Sequence, residues 1–155
     1  MSILYFAYGS NMDRDRMLKR GVKIFSESIG YIKMWKLVFN KKAPNKGEGY
    51  ANIVPNKNSK VYGVIYEIEE TDILKLDEYE GYPTHYDRQA ITVIRSDGTE
   101  IKAQVYIAKN DMTDTNLKPS KSYMQYILNG ARQHNLPEEY IDFLEKAGGL
   151  KNGTY

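Results

Sequence analysis

The sequence predicts an α+β domain in which a small mixed, mainly antiparallel sheet curls toward a barrel and helices flank it. Three observations point there. Five or six strand-like segments come first and most helical periodicity comes last, so the regular alternation of a βαβ fold is missing. Segments 86–95 and 101–108 meet around Asp97 and Gly98, the best short hairpin signal in the chain. With 155 residues, the chain is one domain's length, so 1–155 is expected to fold as a single domain.

Each element has a local reason. Residues 3–8 form an apolar, aromatic strand that stops at Gly9, and 13–19 read as a short helix capped by Asn11 or Asp13. In 31–40, apolar residues alternate against lysines as in a half-buried strand, and 41–49 is a Pro, Asn, Gly and Lys loop. A short strand at 51–54, a turn at 55–59 and a strong β-branched strand at 61–68 follow. Thr71 is the expected cap of a helix running to Tyr79 or Glu80, with Gly81 at its stop. After the hairpin, 110–118 looks like a linker. Residues 120–133 read as a helix, and 137–147 as another, with Tyr140, Phe143, Leu144 and Ala147 on one face and Gly148 and Gly149 ending it.

Composition narrows the chemistry. Apolar residues are 41% and charged ones 27%, which is ordinary for a globular protein. The net charge of +2 is too small to call for nucleic acid or an anionic membrane. Lysines 33, 36, 41, 42 and 46 form a basic stretch with aromatics interleaved, but acids elsewhere nearly cancel it and no RNA-binding motif accompanies it. No apolar run is long enough to span a membrane, and residues 1–8 carry neither a basic leader nor a cleavage site, so a cytoplasmic location is expected. Cysteine is absent and only His85 and His134 are present, which removes thiol nucleophiles, disulfides and Cys-containing zinc sites. Both histidines read as structural, so no metal is expected. Acid and base work falls to carboxylates. Tyrosine is the unusual component, 14 against 4 Phe and 1 Trp.

Three constellations could carry chemistry. Tyr8, Gly9, Ser10 and Asn11 lie between the first strand and first helix, where free amides and the helix dipole would favour an anion such as a carboxylate. Glu80, after Asp77 and Glu78 and before Gly81, would sit in a helix's last turn. There the dipole and two neighbouring carboxylates should push its pKa upward, toward that of a useful base. Tyr82, Tyr86, Tyr106 and Tyr123 could line a barrel mouth, and alternation in 101–108 takes Tyr106 off the face carrying Ile101, Ala103, Val105 and Ile107. Each also has a plain structural account: a capped turn, a solvated acidic helix face, tyrosines straddling core and water.

Taken together, Leu4-Tyr-Phe-Ala-Tyr-Gly-Ser-Asn11, Val61-Tyr-Gly-Val-Ile-Tyr66, Leu76-Asp-Glu-Tyr-Glu-Gly81, and Tyr123 followed by Gly130-Ala131 and Leu136-Pro-Glu-Glu-Tyr140 resemble the γ-glutamylcyclotransferase family over nearly the whole chain. The resemblance implies a small barrel with a cavity, no metal and no cofactor. It implies that Tyr8 to Asn11 hold a small-molecule γ-glutamyl substrate, that Glu80 is the catalytic acid/base, and that Tyr86, Tyr106 and Tyr123 surround the pocket. A homodimer is the one protein association it suggests.

The residues suit that chemistry. A γ-glutamyl compound brings its own nucleophile, the α-amine, so attack on the γ-carbonyl is intramolecular and the protein needs none. Glu80 would take a proton from the ammonium and return one to the leaving amine, giving 5-oxoproline and a free amino acid or amine. The amides of Gly9 and Ser10 would hold either the α-carboxylate or the oxyanion. Two rivals stay open: cyclisation of a γ-glutamylamine or a γ-glutamyl-protected intermediate, and a non-enzymatic binding module on the same fold. The leaving group is expected to be read by 41–49 and 110–118.

Overall fold

A computed structural model describes residues 1–149. Five strands close into a barrel: β1 (Ser2–Ala7), β2 (Ile24–Lys42), β3 (Gly49–Glu69), β4 (Tyr86–Arg95) and β5 (Glu100–Ala108), in the order β1-β3-β2-β4-β5. Four helices accompany them, α1 (Arg14–Lys19), α2 (Ile73–Glu80), α3 (Lys121–Gln133) and α4 (Glu138–Ala147). Every pairing is antiparallel except the closing one, where Tyr5 of β1 lies parallel to Gln104 of β5. The β2–β4 and β1–β5 closures are short, two residue pairs and one, and Phe6, Ile32, Ile53, Val64, Ile65 and Val105 are buried in the core.

The β4–β5 hairpin turns where the sequence places it. Gly98 has φ +88°, and Asp97 accepts from Thr99 N at 3.0 Å. Asp13 caps α1 by accepting from Asp15 N and Arg16 N. Gly81 ends α2 with φ +72°, and a side chain there would also strike the His85 ring. Ser120 caps α3 through Tyr123 N, so that helix starts one residue later than expected.

The sequence expectations differ from the structure in four places. β2 starts at Ile24, not 31, because residues 24–30 pair with 63–68 of β3, a partner that no local pattern reveals. Residues 51–68 do not break into two strands. Pro55 pairs with Trp35, Lys60 pairs with Lys33, and 56–59 stand opposite Met34 alone. The expected turn at 55–59 is therefore a wide bulge inside one strand, with Met34 at φ +69° absorbing the mismatch and Asn58 N donating to Asn56 Oδ1. Thr71 is not the cap of α2. A single 3-10 turn, Glu70–Asp72, precedes the helix, and the Glu69 carboxylate accepts from Glu70 N. The linker-like 110–118 is fastened to the β2–β3 turn by Asp114 N to Asn40 O, Lys118 N to Gly47 O and Gly49 N to Lys118 O, each within 3.0 Å.

No helix among the described residues is long and apolar enough to cross a membrane.

Candidate active site

Leaving β1, the chain runs through Tyr8 and Gly9 into a 3-10 turn, Ser10–Met12, before α1 begins. This alters one expectation: α1 is too short and begins too late for its dipole to act at Gly9 and Ser10. Their anion-binding capacity rests on the N–H groups at the start of the 3-10 turn, which have no partner inside it. The turn is held from behind by α3. A Cβ on Gly130 would lie 2.2 Å from Met12 C and 2.5 Å from Asp13 N, so only glycine lets helix and turn approach this closely.

This turn, the C-terminus of α2, β1, β3, β4, β5 and α3 enclose a cavity of about 120 Å³. Its wall includes the residues that the resemblance assigns to the site: Glu80, the Tyr8-Gly9-Ser10-Asn11 turn, Tyr86, Tyr106 and Tyr123. Tyr5, Arg16, Arg20 and Tyr50 join them. Tyr82 lies outside that wall and is exposed. His85 is exposed as well, and His134 is held between Gly130 O and Glu27 Oε1, away from the cavity. No group of three or more acids and histidines among the described residues is placed to hold a metal ion.

The three acids of the cluster have separate fates. Asp77 is buried, accepts from Tyr106 Oη at 2.7 Å and pairs with Arg88 Nε at 3.0 Å. Glu78 is exposed. The Glu80 carboxylate makes no hydrogen bond or ion pair with a described residue, and it keeps partial access through the cavity it lines. Burial pushes its pKa upward, opposed by the charges of Arg20, Arg16 and Lys41. The direction is the expected one, with burial as its largest cause, while the neighbouring Asp77 is paired with Arg88.

The tyrosine hydroxyls sort by what they bond. Tyr8 donates to Tyr106 O at 2.6 Å, Tyr86 to Ala51 O at 2.8 Å, and Tyr106 to Asp77. Their protons are taken, leaving lone pairs toward the cavity. Tyr123 and Tyr5 do the reverse, accepting from Ala51 N at 2.9 Å and from Asn11 Nδ2 at 3.0 Å. Each keeps its own proton for a further acceptor. Burial raises the pKa of all five above the ordinary phenol value, and the charge of Glu80 adds to it. They stay protonated, so none can act as the base.

Asn11 serves by position. Buried, it donates to Tyr5 and accepts from Arg20 Nη1 at 2.9 Å, fixing both at the wall. Arg20 also lies over the Tyr79 ring and Arg16 over that of Tyr126. Arg16 Nε is buried without a hydrogen-bond partner among the described residues. Two guanidiniums therefore face the cavity that contains one uncommitted carboxylate. Arg16 on α1 and Arg20 at its C-cap are four residues apart, which places both on one side of the helix, a signal carried by the sequence. Tyr50 had no such signal, since it arrives from the start of β3.

The chain matches the AIG2-like family over residues 60–144. It is 31% identical over 144 residues to the γ-glutamylcyclotransferase of Bos taurus, covering 90% of this chain and 75% of that one. To the Homo sapiens γ-glutamylcyclotransferase it is 29% identical over 149 residues, covering 93% and 78%. A solved γ-glutamyl cyclotransferase superposes with a TM-score of 0.84 at 28% identity, over 100% of this chain and 92% of that one. The chain belongs to the AIG2-like family, with the γ-glutamylcyclotransferases as its relatives.

Proposed function

We propose that the protein is a γ-glutamylcyclotransferase, converting a γ-glutamyl compound to 5-oxoproline and releasing the amine, with Glu80 as general acid/base. The observation that carries this reading is the Glu80 carboxylate: raised in pKa by burial, unbonded to any described residue, and on the wall of a cavity ringed by tyrosines. The reaction closes one bond and opens another. Glu80 takes a proton from the α-ammonium, the freed amine adds to the γ-carbonyl, and the tetrahedral centre collapses with loss of the leaving nitrogen. In all, two protons pass from the α-nitrogen to the leaving one. The first travels on Glu80 to expel the amine, and the second is taken up as that amine ionises.

The cavity offers complementary groups for each charge. Hydroxyl lone pairs of Tyr8 and Tyr86 suit the substrate ammonium, and free protons on Tyr5 and Tyr123 suit an oxygen. Arg16, Arg20 and the amides of Gly9 and Ser10 suit the α-carboxylate and the developing oxyanion.

Glu80→Gln tests the reading. Release of 5-oxoproline from γ-glutamyl-alanine, followed by chromatography, should fall by about 10²- to 10⁴-fold. The fold should not suffer, since no hydrogen bond is removed. A carboxyl with raised folded pKa contributes stability that is complete below its unfolded pKa and is lost as pH rises through the folded one. At pH 7 the amide therefore relieves a cost, and Tm should be unchanged or higher. A folded Glu80→Gln protein with full turnover overturns the mechanism.

A further inference from the structure

Beside the first cavity lies a second, of about 490 Å³, and the two share Tyr50, Tyr79, Glu80 and Tyr86 in their walls. Glu80 thus stands where they meet. The second is walled by the end of β2 and the loop after it, including Lys41, Lys42 and Pro44, and by His85 and Met112. Lys41 is its unusual member. The residue is 4% exposed, fixed at the end of β2 by pairing with Tyr50 and by a bridge to Thr113. Its ammonium donates to Lys42 O at 2.6 Å and lies 5.7 Å and 5.6 Å from the ring centres of Tyr50 and Tyr86. No carboxylate of the described residues lies within ion-pair distance of it. An ammonium carries three donors, and a buried charge without a counterion is unfavourable unless something supplies one.

We propose that this second lobe is the leaving-group subsite and that Lys41 is its specificity-determining residue, binding the α-carboxylate of an amino acid released from the γ-glutamyl group. The inference rests on the cyclotransferase reading. Because Glu80 exchanges protons with both nitrogens, the scissile bond must sit at Glu80, with the γ-glutamyl half on one side and the leaving half on the other. The smaller lobe already holds groups for the γ-glutamyl ammonium and carboxylate, which leaves the larger lobe for the second half. A leaving α-amino acid brings a carboxylate to the unpaired ammonium, whereas a simple amine leaves that cation unpaired. The lobe's remaining wall is mixed, with Lys42, Glu78 and His85 beside Pro44, Met112 and the Tyr50 ring, and those last three offer an apolar surface for a side chain.

The test uses two substrates that differ only in that carboxylate, γ-glutamyl-alanine and γ-glutamyl-ethylamide, with the parent protein, Lys41→Met and Lys41→Arg. The parent should favour the alanine compound by at least about tenfold in kcat/KM. Lys41→Met should lose at least about tenfold more on it than on the ethylamide, mostly through KM, because any effect of the lost charge on Glu80 falls on both substrates alike; Lys41→Arg should recover part of the loss. Equal losses on both substrates, or none on the alanine compound, overturn the assignment to Lys41 and leave the cyclotransferase reading standing. No 5-oxoproline from either substrate with the parent overturns both. Should the variants not fold, product inhibition of the parent decides: L-alanine should compete with the ethylamide substrate and ethylamine should not, and equal inhibition by the two refutes the subsite.

Discussion

Replacing Tyr106 or Tyr123 by phenylalanine should destabilise the protein by comparable amounts, but only the second change should impair turnover. Tyr106 Oη donates at 2.7 Å to Asp77, the buried ion-pair partner of Arg88. Hydrogen bonds to charged groups contribute about 1.5–3 kcal/mol, and since Asp77 retains Arg88, the lower half of that range, about 2 kcal/mol, applies. For a chain of this size each kcal/mol lowers Tm by about 2–4 °C, so Tyr106→Phe should unfold about 4–8 °C early. Tyr123→Phe strips Ala51 N–H of its acceptor, a loss of about 1–3 kcal/mol and a similar change in Tm. The two separate in kinetics. The Tyr106 proton already belongs to Asp77, so kcat/KM for 5-oxoproline release should stay within about threefold; the Tyr123 proton is free for the substrate, so its loss should lower kcat/KM about tenfold or more. A Tyr106→Phe protein with unchanged Tm and a tenfold loss of activity would refute this assignment of hydroxyl protons.

Two further outcomes follow from the packing around Glu80. Arg20 is the largest influence lowering the Glu80 pKa, so Arg20→Gln should raise it further. Because the base must be ionised, the acid limb of the kcat/KM profile should move to higher pH, and activity at pH 6 relative to pH 8 should drop about threefold or more. A uniform loss across pH would mean that Arg20 acts only on the substrate. Gly130→Ala forces a methyl into the backbone of Met12 and Asp13, neither of which can yield as a side chain could. A cost of about 3 kcal/mol, or about 6–12 °C in Tm by thermal melting, is expected; an unperturbed melt would show that α3 does not brace the turn.

The tyrosine excess has two explanations that composition could not separate. Seven tyrosines line one cavity, and five of them, Tyr5, Tyr8, Tyr86, Tyr106 and Tyr123, form a hydrogen-bonded lining whose bonds run to residues such as Ala51 and Asp77. Tyr62 and Tyr140 pack against each other at 5.1 Å, and Tyr140 packs on Phe143, as the helical spacing of that stripe leads one to expect.

What the sequence by itself determined are features made by neighbours along the chain. The stop of α2 at Gly81, the turn at Asp97 and Gly98, the stripe of α4 and the place of Glu80 as the last residue of a helix all depend on spacings of one to four. The residues carried by the family strings lie together on one cavity wall. Tertiary structure alone decided how those groups are bonded and charged, because the deciding contacts are distant in sequence: Tyr8 to Tyr106 across 98 residues, Ala51 to Tyr123 across 72, Tyr106 to Asp77 across 29. Closure of β1 on β5, the first half of β2, the burial that raises Glu80 and the unpaired ammonium of Lys41 are likewise products of the closed barrel. A local pattern records which side chain is present and which face it takes, while solvent exclusion and counterion distance depend on every segment packed around it.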